Sequence, residues 1–223
     1  ISVLRAVFDL LEIEEMHVAQ GALRQGALYD LLDREQPETD LRTATVNALM
    51  QRFAVDTAHA ERVAATACAL FRQAAAPGSE RAERKLEWAA KLHEVGCRIS
   101  HSDYHRHGAY ILDNTDAAGF ALPELHRLGI LVLGQRGKVR KLEADLSDAS
   151  FALQLICLRL AVALCHARRA PDITEMQLLM EPGTFTLKIP SRWPQAFPQS
   201  AHLLQEEMVA WQKTPWELRV QAD

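Results

Sequence analysis

The sequence predicts a mostly α-helical protein with a small antiparallel β element near its C-terminal end. Three observations carry that prediction. Apolar residues recur at helical spacing in segment after segment between Asp40 and Cys165, with capping or breaking residues between segments. The run from Phe151 to Cys165 is apolar on nearly every side, the pattern of a helix that passes through the middle of a fold. Further on, Phe185-Thr-Leu-Lys-Ile189 and Trp216-Glu-Leu-Arg-Val220 alternate apolar and polar residues, the period of a half-buried strand.

The elements follow in order. Val3, Leu4, Val7, Phe8 and Leu11 share one face of a first helix. Glu14 to Ala19 reads as a short strand, Gly21 as a turn, and Ala22 to Leu32 as another short helix. The acidic, proline-containing stretch Asp33 to Asp40 reads as a linker. Asp40 can cap a helix that uses Val46, Leu49, Met50 and Phe53, and Asp56 can cap the next, through Val63, Ala67, Leu70 and Phe71. Pro77-Gly78 ends it. Leu86, Ala89, Ala90 and His93 form the inner stripe of the following helix, with Gly96 as its left-handed stop. Tyr104, His107 and Ile111 align on another, Pro123 starts one through Leu125, Leu128 and Val132, and Ser147 can cap the apolar helix. Leu203 to Gln212 is helical between the two strands.

Composition narrows the function. A chain of 223 residues, 48% hydrophobic, can bury a substantial core in one medium domain or one and a half. The net charge of −4 argues against a general polyanion binder, but the charge is uneven. Residues 1–40 carry −6 and the rest +2, and Arg127 to Leu142 holds five basic residues and no acid. Cys68, Cys97, Cys157 and Cys165 are scattered, without a CxxC, and are expected to be buried free thiols in a reducing cytoplasm. The longest apolar stretch is too short to span a bilayer and contains Gln154 and Arg159. Nothing resembles a nucleic-acid recognition helix, and 6% aromatic residues give few stacking platforms. The chain opens at Ile1 in mid-pattern, which suggests a fragment of a longer protein.

Four of the nine histidines, at 93, 101, 105 and 107, lie between Trp88 and Asn114. Such a cluster binds either a metal or a phosphate chain. His59 on one helix, followed by His93–Glu94 at the end of the next, resembles the ligand order of metal-dependent HD phosphohydrolases. Those enzymes take a last carboxylate from the central helix. Here the matching run is Leu160-Ala-Val-Ala-Leu164, which puts Val162 in that position. Valine has no lone pair, so an ion would lose a hard oxygen donor, and Glu94 stands where aspartate is usual. The HD positions His59, His93, Glu94 and Val162 therefore read as degenerate, with neither a metal site nor a catalytic residue expected. An HD-type hydrolase acting on nucleotides through His59, His93 and Glu94 is the alternative. His93 on an apolar stripe also fits a core histidine with a backbone partner. The run Arg136-Gly-Lys-Val-Arg-Lys141, with Gly134 and Gly137, lets backbone N–H groups approach an anion, and it also fits a solvated basic loop.

Taken together, GALRQGALYDLL (21–32), VDTAHAERVAATA (55–67), LEWAAKLHEVGCRISHSDYHRHGAYILDN (86–114) and LRLAVALCHARR (158–169) resemble the exopolyphosphatase / guanosine pentaphosphate phosphatase (Ppx/GppA) family. The resemblance covers essentially the whole chain, and HEVG, HRHGAYIL and GALRQG make it specific. It implies two actin-like domains that do the cutting, followed by an HD-like helical domain, usually without metal, that extends the polyphosphate channel and supports dimer formation. Residues 1–39 would then be the tail of the second actin-like domain with its linker. Residues 40–223 would be the HD-like helical domain with its small sheet. No glycine-rich phosphate loop is present, so this part is expected to hold phosphates without cleaving them.

The resemblance implies a parent enzyme that releases terminal phosphate from inorganic polyphosphate or guanosine pentaphosphate. Mg2+ would serve the parent by neutralising phosphate oxygens, and no cofactor is expected in this fragment. Candidate phosphate contacts are His93, Arg106, His107, Arg136, Lys138, Arg140 and Lys141, because a repeating polyanion rewards several charge-assisted bonds at once. The expected partners are polyphosphate and a second copy of the chain, with no nucleic acid and no membrane span, in the cytoplasm.

Overall fold

The computed structural model describes residues 2–12 and 40–222. The chain divides into two units, Ile1–Leu41 and Arg42–Asp223. In the first, the helix expected from the Val3–Leu11 pattern is present as α1 (Ser2–Leu10). Its Val7 and Leu10, and Leu11 just beyond it, are exposed. The strand, turn and helix read from Glu14 to Leu32, and the linker up to residue 39, lie outside the described residues.

The helical body follows the periodicity closely. α2 (Leu41–Arg52) begins directly after Asp40 and buries Val46, Leu49 and Met50. α3 (Thr57–Ala74) is capped by Asp56, whose Oδ1 accepts the His59 N–H at 3.0 Å. α4 (Glu80–Lys91) stops before His93, and a 3-10 turn covers Val95–Arg98. α5 (Tyr104–Asp113), α6 (Leu122–Gly134) and α7 (Ala149–Leu164) complete the body. α7 packs against α3, α4 and α6, and nearly every residue from Phe151 to Leu164 is buried. Each such leucine or phenylalanine contributes roughly 1.5–3 kcal/mol by leaving water. The polar residues on α7 are satisfied internally: the Gln154 amide donates to the Ala82 carbonyl at 2.7 Å.

Two local expectations are corrected. Gly96 is not a left-handed stop; the positive φ in this stretch belongs to Asp103, at 54°. Gly96 is needed for space instead, because a Cβ there would fall on the Tyr104 carbonyl oxygen. Ser147 does not cap α7. Asp148 does, its Oδ1 accepting from the N–H groups of Ser150 at 2.9 Å and Phe151 at 3.3 Å, while the Ser147 hydroxyl donates to the Ala144 carbonyl.

The C-terminal sheet has the order β1-β2-β3, with β1 (Gln177–Glu181), β2 (Thr184–Ile189) and β3 (Glu217–Ala222). β1 and β2 form the antiparallel element, with Met180 opposite Phe185, turning at Gly183 with φ of 74°. The two strands expected from the sequence, β2 and β3, pair in parallel, with Phe185 opposite Leu218. α8 (Trp193–Ala196) and α9 (Pro198–Trp211) supply the crossover that parallel pairing requires. Trp216 stacks on Phe185 with centroids 4.6 Å apart, and Trp211 meets the same ring edge-on at 5.7 Å. α9 also packs on α7, through a buried ion pair. Arg159 donates from Nε and NH2 to Glu207 at 2.6 and 2.9 Å, and from NH1 to the Gly134 carbonyl at 2.5 Å.

Candidate functional site

The first turn of α3 carries His59 inward, and the end of α4 delivers His93 beside it, with ring centroids 5.4 Å apart. His93 is 1% exposed, and its Nδ1 lies 2.7 Å from the Ala90 carbonyl. Nδ1 must therefore carry the proton, leaving Nε2 as the acceptor nitrogen. The nearest donor atoms of His59, His93 and Glu94 all lie within 4.8 Å of one another. Burial depresses His93 to about 4 and outweighs the opposing pull of Glu94. Burial also lowers His59, again against Glu94. Both rings are therefore neutral at pH 7, and His93 brings no positive charge to a phosphate.

The positive charge here comes from Arg168, just beyond α7 in a left-handed conformation with φ of 55°. It donates to Asp56 Oδ2 at 2.7 Å and to Glu94 Oε1 at 3.1 Å. Asp56 is held below the usual carboxylate range by the His59 N–H and by Arg168. Two neutral imidazoles and one carboxylate already paired with a guanidinium do not suit Mg2+, which prefers oxygen-rich octahedral sites. Val162 lines a different space, a cavity of about 450 Å3 bounded also by Tyr104, Gln135, Arg159 and His166.

A second constellation forms where the loop leading into α5 meets the loop leaving α6. Here a groove of about 570 Å3 is lined by His101, His105 and Arg106 on one side and by Arg136, Lys138 and Lys141 on the other. Gly137, with φ of 80°, turns the second loop beside His105. Asp103 is the one acidic residue in the lining and pairs with Arg106 at 3.4 Å, both side chains being more than half exposed. Arg136, Lys138 and Lys141 have no carboxylate within ion-pairing distance among the described residues. Burial lowers His105, whose Nδ1 has no hydrogen-bond partner among the described residues.

Of the seven expected phosphate contacts, the fold gathers Arg106, Arg136, Lys138 and Lys141 in this groove. Arg140 lines an adjoining cleft with Lys138, Glu206 and Lys213. His107 is half-buried on α5, outside the groove's lining, and His93 is enclosed beside His59. Arg168 was not among the expected site residues. Its two partners lie 112 and 74 positions away in sequence, and only its place in the LCHARR segment pointed to it.

The fold and the site define a helical, HD-like domain whose histidine pocket is closed by an arginine of its own. The family model for Ppx/GppA phosphatase, domain III, matches residues 41–209, and the chain belongs to that family. The guanosine-5'-triphosphate,3'-diphosphate pyrophosphatase of Vibrio atlanticus (strain LGP32) is 34% identical over 226 residues, covering 99% of this chain and 45% of that protein. The enzyme of the same name from Pseudoalteromonas translucida (strain TAC 125) is 33% identical, covering 99% of this chain and 45% of its own. That from Aeromonas hydrophila subsp. hydrophila is 34% identical, covering 99% and 46%. The chain therefore spans about half the length of the curated relatives it matches. Among the described residues, no helix is long and apolar enough to cross a membrane.

Proposed function

We propose that this chain is the phosphate-holding part of a larger phosphatase. The whole protein would release the terminal phosphate of guanosine pentaphosphate or of inorganic polyphosphate, using Mg2+ bound outside these residues, in the cytoplasm and as a homodimer. The supporting observation is the groove in which Arg136, Lys138 and Lys141 converge without carboxylate partners among the described residues. Cations gathered around one concave surface favour a polyanion, and Arg106 adds a charge that a phosphate can take over from the exposed Asp103. The names of the relatives fit a substrate carrying several phosphates. The chain has no glycine-rich phosphate loop, so it contributes binding and leaves cleavage to the rest of the protein.

The test is calorimetric titration of the chain with linear polyphosphates of graded length. Affinity rises with length and falls with salt if several subsites line the groove. Charge reversal at Arg136 and Lys138 weakens binding at least tenfold, while Arg140→Glu in the adjoining cleft has the smaller effect. Affinity untouched by the double reversal overturns the assignment.

A second reading, a metal-dependent HD-type phosphohydrolase, is favoured by the proximity of His59, His93 and Glu94. Arg168 weighs against it by occupying the carboxylate such an ion would need. Phosphate release from nucleotides by this chain with Mn2+ or Mg2+ would establish that second activity.

A further inference from the structure

The basic groove holds a titratable ring among its permanent cations. His105 stands in the first turn of α5 and meets the Tyr104 ring edge-on, with centroids 6.1 Å apart. Arg106 follows it on the same helix, and Arg136, Lys138 and Lys141 lie across the groove. His105 Nδ1 is enclosed and has no hydrogen-bond partner among the described residues. Nε2 is turned towards Gly137, itself part of the groove's lining, and lies 3.9 Å from where a Cβ on that glycine would stand. Proton exchange with solvent therefore runs through Nε2. The other histidine of the lining, His101, is exposed.

The surroundings oppose a second proton on this ring while the groove is empty. Burial holds His105 below the ordinary histidine value, Asp103 pulls the other way, and Arg106, Arg136 and Lys141 push it further down. The N-terminal end of α5 acts in the same sense as the cations, and Asp103 gives it no side-chain cap. A phosphate chain reverses the balance. It offsets the same three cations and sets negative charge beside the ring, which favours the imidazolium. Binding that raises the ring's hold on a proton must, by reciprocity, be strengthened when the ring is protonated.

We propose that the groove is a proton-linked anion site, in which His105 takes a proton from solvent onto Nε2 as a phosphate chain settles and returns it when the chain leaves. The arginines and lysines of the groove keep their charge throughout the neutral range, so His105 is the group that makes the grip adjustable. The ring is neutral in the empty groove and charged in the filled one, so affinity grows as the pH falls and declines as it rises. The inference rests on the groove being the phosphate site, and it adds regulation of that site by pH.

The experiment titrates the chain calorimetrically with long-chain polyphosphate, whose interior phosphates stay singly ionised across the neutral range. Affinity is measured from about pH 8 to about pH 6 for the unaltered chain and for His105→Gln. Near the middle of that range the unaltered chain is also titrated in two buffers of different ionisation heat, which counts the protons taken up. The unaltered chain is expected to bind about fivefold more tightly at the acid end, within the tenfold that one pK unit of linkage allows, and to take up protons on binding. In His105→Gln the dependence on pH flattens. The same dependence in His105→Gln, or no proton uptake by the unaltered chain, overturns the proton link and leaves the groove assignment standing. No binding of polyphosphate at any pH overturns the groove assignment and this inference with it.

Discussion

Arg168 reaches the Glu94 carboxylate at 3.1 Å, and the same guanidinium holds Asp56 at 2.7 Å. One side chain thus bridges both acids at the mouth of the histidine pocket. Arg168 is about half exposed, so Arg168→Ala should cost about 1 kcal/mol or less in stability. It frees Glu94 beside two neutral imidazoles, a donor set suited to zinc. Calorimetry is expected to show tighter Zn2+ binding by the variant than by the unaltered chain. Equal affinity would mean that the guanidinium does not guard the pocket.

His93 gives the domain a specific acid sensitivity. Its folded value of about 4 lies below the ordinary 6.5, so the unfolded chain takes up the proton first. Its stabilising contribution is complete above about pH 6.5 and is lost as the pH falls towards 4. The loss amounts to roughly 3 kcal/mol over that window. Urea midpoints measured from pH 7 to 4.5 should decline less steeply in His93→Gln. Parallel slopes would remove His93 as the cause.

The Arg159–Glu207 pair ties α9 to the central helix, with the Arg159 side chain only 2% exposed. Glu207→Ala strands a buried guanidinium and is expected to destabilise by about 3 kcal/mol. Replacing both residues, as Arg159→Met with Glu207→Leu, should recover much of that loss. Chemical denaturation of the three variants checks the order.

Gly96→Ala tests the close approach beneath α5. The added methyl meets the Tyr104 carbonyl, which is backbone and cannot swing away. A loss of roughly 1–3 kcal/mol is expected. A shift of Tyr104 would also disturb the cavity wall. An unchanged melting temperature would show that the loop yields freely.

The helices were legible because their signal is local. Spacing of three and four residues marks the buried faces of α2 to α6, and the all-round apolar run marks α7 as central. Gly96 was misread because a glycine chosen for positive φ and one chosen for lack of a Cβ look alike in sequence. The β2–β3 pairing depends on what α9 does between the strands, which neither strand encodes. Clustering found four groove residues. Arg140 separated from them because Val139–Leu142 is a 3-10 turn, in which positions three apart align. Val139 and Leu142 both point inward, and Lys138 and Lys141 both reach the groove, so Arg140 falls on another side. The partners of Arg168 and Arg159 are distant in sequence and left no mark on their surroundings.

The parallel ladder has a consequence in time. β3 finds β2 only after two helices have been laid down between them, whereas α3 and α4, or α5 and α6, meet as sequence neighbours. Non-local pairing of that kind accrues late during folding. The amide protons of Glu217 and Arg219, which face β2, should therefore trade with deuterium sooner than those of Leu155 and Leu158, and a partly opened molecule would shed its last strand while the helices still stand.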